Sequence, residues 1–163
     1  MEKAARVKGL VLDVDGTLTD GTIWIGPRGE EFKAFNVHDG FGLKKLKQAG
    51  LLVAIISGRD SKAVTRRAKE LGISFVYQGV KDKVQVFEEM ASTSRTSPAD
   101  WAFVGDDVPD IPLLEKVGLA VAVADCASDL NQRVHYKTRN PGGRGAVREV
   151  CELILKARSM WPY

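Results

Sequence analysis

The chain has 163 residues and a mass of 17.8 kDa, the size of one ordinary domain. Hydrophobic residues make up 44% and charged residues 28%, a balance that excludes a disordered chain and is typical of a globular protein. The 24 Lys and Arg residues exceed the 21 Asp and Glu residues by only 3, and no basic block is present, which argues against nucleic-acid binding.

Neither a membrane anchor nor a secretory signal is predicted. No apolar run approaches the roughly 20 residues that cross a bilayer, and the first six residues lack the apolar stretch of a signal peptide. We therefore expect a cytoplasmic location and no membrane partner. The two cysteines, Cys126 and Cys151, are far apart and too few for a zinc site, and we expect no disulfide between them in the cytosol.

Short apolar runs alternate with amphipathic stretches along the chain. This alternation predicts a doubly wound α/β fold, with a mainly parallel sheet and helices on both faces, in a single domain over residues 1–163. In chain order, the predicted elements are a strand at 7–14, a hairpin at about 20–36, a helix at 41–48, a strand at 51–56, a helix at 62–71, a strand at 73–77, a helix at 82–91, a strand at 101–104, a helix at 111–117, a strand at 119–123, and a C-terminal helix and tail at about 145–163.

The hairpin interrupts the alternation of strands and helices. Its two strands flank a predicted turn at residues 26–29, and Ile23, Trp24 and Ile25 form an apolar patch on it. Because an isolated two-stranded hairpin is only marginally stable, we expect it either to pack on its own domain or to pair with another subunit.

Polar side chains follow four of the predicted strands. In a doubly wound sheet the active site lies beyond the carboxyl ends of the strands. Taken singly, an Asp at a strand end most often caps a helix or forms a turn, and a Lys or Arg is most often solvated. The recurrence at four strand ends favours a shared site instead. The residues are Asp13 and Asp15, then Ser57, Gly58 and Arg59, then Gly79, Asp82 and Lys83, then Asp106, Asp107 and Asp110.

These residue types fit phosphoryl transfer. Asp13 and Asp15 are two apart, so both point to the same side of an extended strand, and with Asp106 they would repel one another unless a cation neutralised them. A hard divalent ion such as Mg²⁺ fits a site made only of carboxylates. Ser57 and Lys83 would hold the oxygens of a phosphate. One carboxylate would attack phosphorus, and its neighbour would protonate the leaving oxygen.

The same residues resemble the motifs of the haloacid dehalogenase superfamily of phosphatases. Its first motif is similar to residues 13–17, its second to Ser57, its third to Lys83 and its fourth to residues 105–110. The superfamily usually inserts a cap domain between these motifs, whereas only the hairpin and one helix separate Asp15 from Ser57 here. The chain therefore resembles the capless subclass, which closes its active sites by tetramerisation. That resemblance implies a homotetramer assembled through the hairpins.

The resemblance implies a Mg²⁺-dependent phosphatase and assigns its machinery. Asp13 would be the nucleophile and a metal ligand, Asp15 the general acid and base and a ligand through its backbone carbonyl, and Asp106 the remaining protein ligand. Ser57 and Lys83 would hold the transferring phosphoryl group. The residues that would lie around this set are Asp107, Asp110 and Arg144.

Within the capless subclass, the chain is most similar to phosphatases of sugar acid phosphates. Arg59 and Arg67 distinguish those that act on octulosonate phosphates, and guanidinium groups suit the carboxylate of a sugar acid. We therefore expect an octulosonate phosphate as substrate, in lipopolysaccharide precursor synthesis. His38 and Lys44 stand where such enzymes often carry Arg, which affects sugar recognition rather than the chemistry. The implied substrate contacts are Asp15, Asn36, Val37, His38, Asp39, Gly40, Lys44, Arg59, Arg67 and Lys83.

Three alternatives stay open. The same chemistry would serve a nonulosonate 9-phosphate or a range of sugar phosphates. A module of this fold can also act only in oligomerisation, but the presence of Asp13, Asp15, Lys83 and Asp106 argues against lost catalysis. A phospho-acceptor signalling domain also forms an aspartyl-phosphate. The pair formed by Asp13 and Asp15 argues against a signalling domain, because the second carboxylate favours rapid hydrolysis of the aspartyl-phosphate rather than its persistence.

Overall fold

Eight strands and six helices make up the protein, which a computed structural model describes over residues 1–163. The strands are β1 (Gly9–Leu12), β2 (Trp24–Ile25), β3 (Glu31–Phe32), β4 (Leu52–Ile56), β5 (Phe75–Tyr77), β6 (Trp101–Gly105), β7 (Leu119–Ala122) and β8 (Tyr136–Lys137). The helices are α1 (Glu2–Arg6), α2 (Val37–Gln48), α3 (Lys62–Leu71), α4 (Lys83–Thr93), α5 (Ile111–Leu114) and α6 (Ala146–Ala157).

Six parallel strands form the central sheet, in the order β5–β4–β1–β6–β7–β8. β1 is central, because Gly9 pairs with Leu52 of β4 on one side and with Trp101 of β6 on the other. The chain adds β4 and β5 on one side of β1 and then crosses to add β6, β7 and β8 on the other. This reversal places a topological switch point at the carboxyl end of β1, where open α/β sheets bind ligands.

Helices cover both faces of the sheet, as the alternation of apolar runs predicts. The side chain of Leu12 packs in a core formed with α1, α2, α3 and α6, whereas its neighbour Val11 packs in a second core formed with α4 and α5. Consecutive strand residues point to opposite faces, so both faces of β1 must be apolar. The structure therefore confirms a doubly wound α/β fold.

Several predicted boundaries are wrong, for local reasons. The first strand ends at Leu12 rather than at 14, because the chain turns after Asp13 to form the loop at the edge of the sheet. The predicted helix at 111–117 is only α5, preceded by a 3-10 turn at Val108–Asp110. Two short elements, α1 and β8, were not predicted, since neither is long enough to show a period in the sequence.

The only insertion between β1 and α2 is the β2–β3 hairpin, an antiparallel pair of two residues per strand. No cap domain is present, which agrees with the expectation for the capless subclass. The hairpin leaves three large apolar side chains exposed: Trp24 at 64%, Ile25 at 72% and Phe32 at 60%. None of the helices is both long and apolar enough to cross a membrane.

Candidate active site

A polar cavity of about 300 Å³ lies at the carboxyl end of the sheet. Its walls come from the loops after β1, β4 and β6 and from the start of α4. This is the edge where the polar residues of four strand ends were predicted to meet. The structure brings together those that follow β1, β4 and β6 with Lys83, whereas Gly79 and Asp82 do not line the cavity. The residues that line it are Asp13, Asp15, Ser57, Gly58, Arg59, Lys83, Asp106, Asp107, Pro109 and Asp110.

Lys83 is the cation at the centre of this cavity. Its Nζ donates hydrogen bonds to Oδ1 of Asp13 at 2.6 Å and to Oδ1 of Asp110 at 2.7 Å. Asp82 fixes where α4 begins, because its carboxylate accepts hydrogen bonds from the backbone N–H groups of Val84 and Gln85. The cap therefore sets Lys83 as the first helical residue, with its side chain over the end of β1.

Burial alone would lower the pKa of Lys83, but its two carboxylate partners outweigh that effect. The charges of Asp13 and Asp110, with their hydrogen bonds, hold the pKa above the ordinary value for lysine. Lys83 is therefore cationic throughout the physiological range, and its ammonium group is poised to bind an anion beside Asp13.

Asp110 ties this cluster to the loop after β6. One of its carboxylate oxygens accepts the hydrogen bond from Lys83, and the other accepts hydrogen bonds from the backbone N–H groups of Asp106 and Asp107 at 3.0 and 3.4 Å. Asp110 is buried, and both oxygens have partners within the protein. Its geometry suits a role in holding the loop that carries Asp106.

Three carboxylates, those of Asp13, Asp106 and Asp110, each present an oxygen within 4.8 Å of the others. Burial first, and then the charge of Asp110, raises the pKa of Asp13 to about 6, although Lys83 acts in the opposite direction. Burial, and then the charges of Asp13 and Asp110, raises the pKa of Asp106 to about 8. One lysine thus leaves the cluster short of positive charge.

A divalent cation bound among these carboxylates would supply the missing positive charge. The donors are all oxygens, which Mg²⁺ prefers, and the ion would restore the ordinary ionisation of Asp13 and Asp106. The residues present therefore fit a magnesium site. Asp13 and Asp106 have oxygens available for it, and Asp110 completes the acidic cluster behind them.

Gly16 makes the close approach of Asp106 possible. A Cβ at position 16 would lie 2.0 Å from Oδ2 of Asp106, and the backbone φ of +86° is one that other residues rarely adopt. Behind this loop packs a second glycine, Gly143, whose N–H donates to the backbone carbonyl of Thr17 at 2.9 Å. The glycine-rich turn that follows residue 141 therefore supports the loop that carries Asp13 and Asp15.

Asp15 is held from the hairpin, by a residue that was not predicted to belong to the site. Its Oδ1 accepts a hydrogen bond from Lys33, directly after β3, and its Oδ2 lies 3.8 Å from Nε of Arg59. Arg59 in turn donates to Glu31 at 2.6 Å. The spacing of two residues between Glu31 and Lys33 is the only sequence signal for them, since it places both side chains on one face of a strand.

Ser57 lies at the end of β4 and is almost fully buried. Its hydroxyl oxygen accepts a hydrogen bond from the backbone N–H of Arg59 at 3.3 Å. The hydroxyl hydrogen is thus available to the cavity that the residue lines.

The other predicted substrate contacts do not line this cavity. Asn36 caps α2, since its side chain accepts the N–H of His38 at 2.8 Å, and Arg67 donates to the backbone carbonyl of Asn36 at 3.2 Å. Those that lie outside the cavity are Asn36, Val37, His38, Asp39, Gly40, Lys44 and Arg67. In this structure, the cavity and this group of residues form separate surfaces.

The predicted contact of Asp39 needs a correction. Its carboxyl is 1% exposed and accepts the backbone N–H of Arg148 at 2.8 Å, at the start of α6. Burial raises its pKa, although those backbone hydrogen bonds oppose the shift. The Asp39 carboxyl therefore joins α2 to α6 and does not line the cavity.

Arg144 also lies away from the cavity. Its guanidinium is exposed and lies 3.5 Å from the carboxylate of Asp20. With His38 and Arg148, it lines a separate polar depression of about 360 Å³ at the start of α6. The structure therefore does not bring it to Asp13 within one protomer.

Comparison with known proteins gives a consistent result. The family of haloacid dehalogenase-like hydrolases matches residues 42–118. Over 158 residues the chain is 48% identical to the 3-deoxy-D-manno-octulosonate 8-phosphate phosphatase KdsC of Yersinia pestis, an alignment that covers 97% of this chain and 84% of that protein.

Two solved structures superpose closely on this fold. The Yersinia pestis phosphatase has a TM-score of 0.96 at 48% identity, covering 98% of this chain and 86% of that one. The Moraxella catarrhalis phosphatase, in complex with a magnesium ion, a phosphate ion and a KDO molecule, has a TM-score of 0.95 at 44% identity, covering 97% of this chain and 91% of that one.

Proposed function

Because the chain belongs to the 3-deoxy-D-manno-octulosonate 8-phosphate phosphatases of the haloacid dehalogenase-like hydrolase family, we propose how its own residues carry out that reaction. It is a Mg²⁺-dependent phosphatase that hydrolyses the 8-phosphate ester to the free sugar acid and inorganic phosphate. The observation that carries the residue roles is the contact of Lys83 with Asp13, within a cluster of three carboxylates at the switch point of the sheet.

Asp13 is the nucleophile. Its carboxylate oxygen attacks phosphorus, the bond between phosphorus and the sugar oxygen breaks, and an aspartyl-phosphate forms. Support comes from its place directly after β1, with one oxygen on Lys83 and the side chain nearly buried. Ser57 and Lys83 bind the oxygens of the transferring group through a hydroxyl and an ammonium.

Asp15 moves the protons. In the first step its carboxyl gives a proton to the sugar oxygen that leaves. In the second step its carboxylate takes a proton from water, which attacks phosphorus, releases inorganic phosphate and restores Asp13. Its position two residues after the nucleophile, at the rim of the same cavity, supports this role.

The metal would be held by the carboxylates of Asp13 and Asp106 and by the backbone carbonyl of Asp15. When bound, Mg²⁺ supplies positive charge that offsets the phosphate and the carboxylates around it. Asp107 lines the cavity beside Asp106, and Asp110 is buried next to it. Of these two, Asp110 holds the loop after β6 through its two backbone hydrogen bonds.

The sugar acid binds beyond the phosphate. Arg59 lines the cavity and is the nearest guanidinium to Asp15, so it is placed to receive the carboxylate of the substrate. Asn36, Val37, His38, Gly40, Lys44 and Arg67 lie outside the cavity of one protomer. A neighbouring protomer would then contribute them, or Arg144, to a shared site.

Assembly through the hairpin would create that shared site. Trp24, Ile25 and Phe32 are exposed on a hairpin of only two residues per strand, and burial against other subunits would stabilise it. We propose a homotetramer held by these contacts, acting in the cytoplasm.

Substrate choice is tested by phosphate release from the octulosonate 8-phosphate and from a nonulosonate 9-phosphate, with Mg²⁺ and with a chelator. We expect the wild type to favour the octulosonate ester and to lose activity with the chelator. The variant Arg59→Glu should lose the preference by raising KM for the octulosonate ester. Equal turnover of both esters by the wild type would move the assignment to a broader sugar-phosphate phosphatase.

A further inference from the structure

The side chain of Lys33 is fully covered, with 0% of it exposed, although lysine is rarely buried. Its ammonium group contacts Oδ1 of Asp15 and lies 3.0 Å from Oε1 of Glu31. A buried charge of this kind is tolerated only when it is paired, and here two carboxylates pair with it. Being covered, Lys33 has no surface with which to touch a substrate.

Glu31 links this buried lysine to the rim of the cavity. Its second carboxylate oxygen accepts a hydrogen bond from Nη2 of Arg59 at 2.6 Å, while Nε of Arg59 lies 3.8 Å from Asp15. Two carboxylates and two cations thus form a closed ring that joins β3 to the loops after β1 and β4. The hydrogen bonds from Arg59 and Lys33 lower the pKa of Glu31 to about 2, so the carboxylate of Glu31 stays ionised and keeps both contacts.

We propose that Lys33 is a positioning residue, which holds the carboxyl of Asp15 where it meets the leaving oxygen of the substrate. The proposal rests on the role of Asp15 as proton donor given above. An aspartate at a cavity rim has several rotamers, and a ligand on one of its oxygens fixes the direction of the other. Misplacing a catalytic group by about 1 Å can cost about 10²-fold in rate.

Through this contact, the hairpin contributes to the geometry of the catalytic site. Its short β3 strand delivers Glu31 and Lys33 on the same side, toward Asp15 and Arg59. The sequence between the first and second motifs therefore does more than present an apolar surface. It sets the orientation of the proton donor from a side that the substrate does not reach.

Two substrates whose leaving groups differ in their need for a proton can distinguish this positioning role from a merely structural one. When the bond between phosphorus and a sugar oxygen breaks, that oxygen takes a proton from Asp15. The p-nitrophenolate of p-nitrophenyl phosphate is a stable anion that leaves without one. Loss of a positioned proton donor should therefore slow hydrolysis of the sugar ester far more than hydrolysis of the aryl ester.

The experiment compares kcat/KM of the wild type, Lys33→Met, Lys33→Gln and Asp15→Asn on both esters with Mg²⁺. This ratio reports the steps through departure of the leaving group, and it excludes the later attack of water, in which Asp15 acts on an intermediate that both esters share. Lys116→Met is the matched control, since Lys116 forms an exposed ion pair with Glu88. We expect Lys33→Met to lower kcat/KM about 10²-fold on the sugar ester and less than about 5-fold on the aryl ester. Asp15→Asn should shift the ratio of the two rates in the same direction, and Lys116→Met should leave it unchanged.

Lys33→Gln keeps a polar side chain in the ring, so it provides a second test if Lys33→Met does not fold. It should lower the ratio of the rate on the sugar ester to the rate on the aryl ester in the same way. Equal losses on both esters, or wild-type rates, in a folded Lys33 variant would overturn the proposal. If Asp15→Asn also lowers kcat/KM equally for both esters, Asp15 is not the proton donor to the leaving oxygen, and the proposed role of Lys33 is wrong. The phosphatase function itself fails only if the wild type releases no phosphate.

Discussion

Nζ of Lys83 lies 2.6 Å from Oδ1 of Asp13, although the two residues are 70 positions apart in the chain. The contact joins the end of β1 to the first turn of α4, and so it depends on the sheet order that brings these elements to one edge. It also gives the proposed nucleophile and the proposed phosphate ligand a fixed distance before any substrate arrives.

Removing Lys83 should therefore harm both catalysis and stability. Lys83→Met leaves Asp13 and Asp110 buried without a cation, and breaking a buried pair costs about 3 kcal/mol. Activity should fall at least about 10²-fold, because a charge that stabilises the transferring phosphoryl group is lost. Urea unfolding in the absence of Mg²⁺, together with phosphate release, checks both effects. Lys81→Met, at an exposed neighbouring position, should change neither.

The stability of the metal-free protein should fall as the pH rises from about 5 to about 9. Asp13 and Asp106 have folded pKa values raised from 3.8 to about 6 and about 8. Their contribution to stability is complete below about pH 4, and it is lost as the pH rises through the two folded values. Thermal unfolding across this range, in the presence of a chelator, measures the effect.

Two comparisons assign that pH dependence to the carboxylate cluster. Asp106→Asn should flatten the part of the curve between about pH 7 and 9, which lies around the raised pKa of Asp106. Added Mg²⁺ should raise the unfolding temperature, and by more at high pH, because the ion binds ionised carboxylates of the folded protein. A metal-free protein that gains stability from pH 7 to 9 would contradict the raised pKa of Asp106.

A substitution in the glycine-rich turn should disturb the catalytic loop. Gly143 and Gly50 both have a positive φ, of +66° and +82°. A Cβ at position 143 would lie 2.4 Å from the backbone of Thr19, whereas a Cβ at position 50 meets nothing within 4 Å. Gly50→Ala should cost about 1–2 kcal/mol and leave activity intact, since only the backbone conformation is penalised.

Gly143→Ala should cost more than Gly50→Ala and should also lower kcat, because the backbone that it displaces leads to Asp15. The free energy of unfolding and kcat of the two variants, measured side by side, give the comparison. If both variants lose the same stability and both keep full activity, the turn does not support the loop.

The apolar hairpin should hold the assembly together. The double variant Trp24→Ser, Ile25→Ser removes two side chains that are 64% and 72% exposed in the protomer, so it should cost the protomer little stability. Light scattering should give four times the protomer mass of 17.8 kDa for the wild type and a smaller mass for the variant. A monomeric wild type would rule out assembly through the hairpin.

The carboxyl edge of the sheet could be predicted because its signals are local. Each strand is a short apolar run, and the residue that ends it is polar, so Asp13, Ser57 and Asp106 could be placed together without knowing any contact. Lys83 is also found this way, since it opens a helix after a strand end. Because the strands are parallel, their carboxyl ends lie at one edge of the sheet and bring these residues together.

The ring around Lys33 could not be predicted in the same way. It forms only when the hairpin folds back over the loop after β1, and neither Glu31 nor Lys33 follows a strand of the main sheet. The burial of Asp39 could not be predicted either, again because it depends on a contact between distant parts of the chain. Its hydrogen bond to Arg148 spans 109 positions, so the sequence near Asp39 gives no sign that its carboxyl is buried.

The most direct test of the proposed chemistry is phosphate release from 3-deoxy-D-manno-octulosonate 8-phosphate by the wild type and by Asp13→Asn, with Mg²⁺ present. Asn at position 13 keeps the size of the side chain but loses the attacking carboxylate. We expect rapid release by the wild type, none above background by Asp13→Asn, and wild-type release by the exposed control Asp129→Asn. Sustained turnover by Asp13→Asn would contradict attack by this carboxylate and, with it, the aspartyl-phosphate on which the mechanism depends.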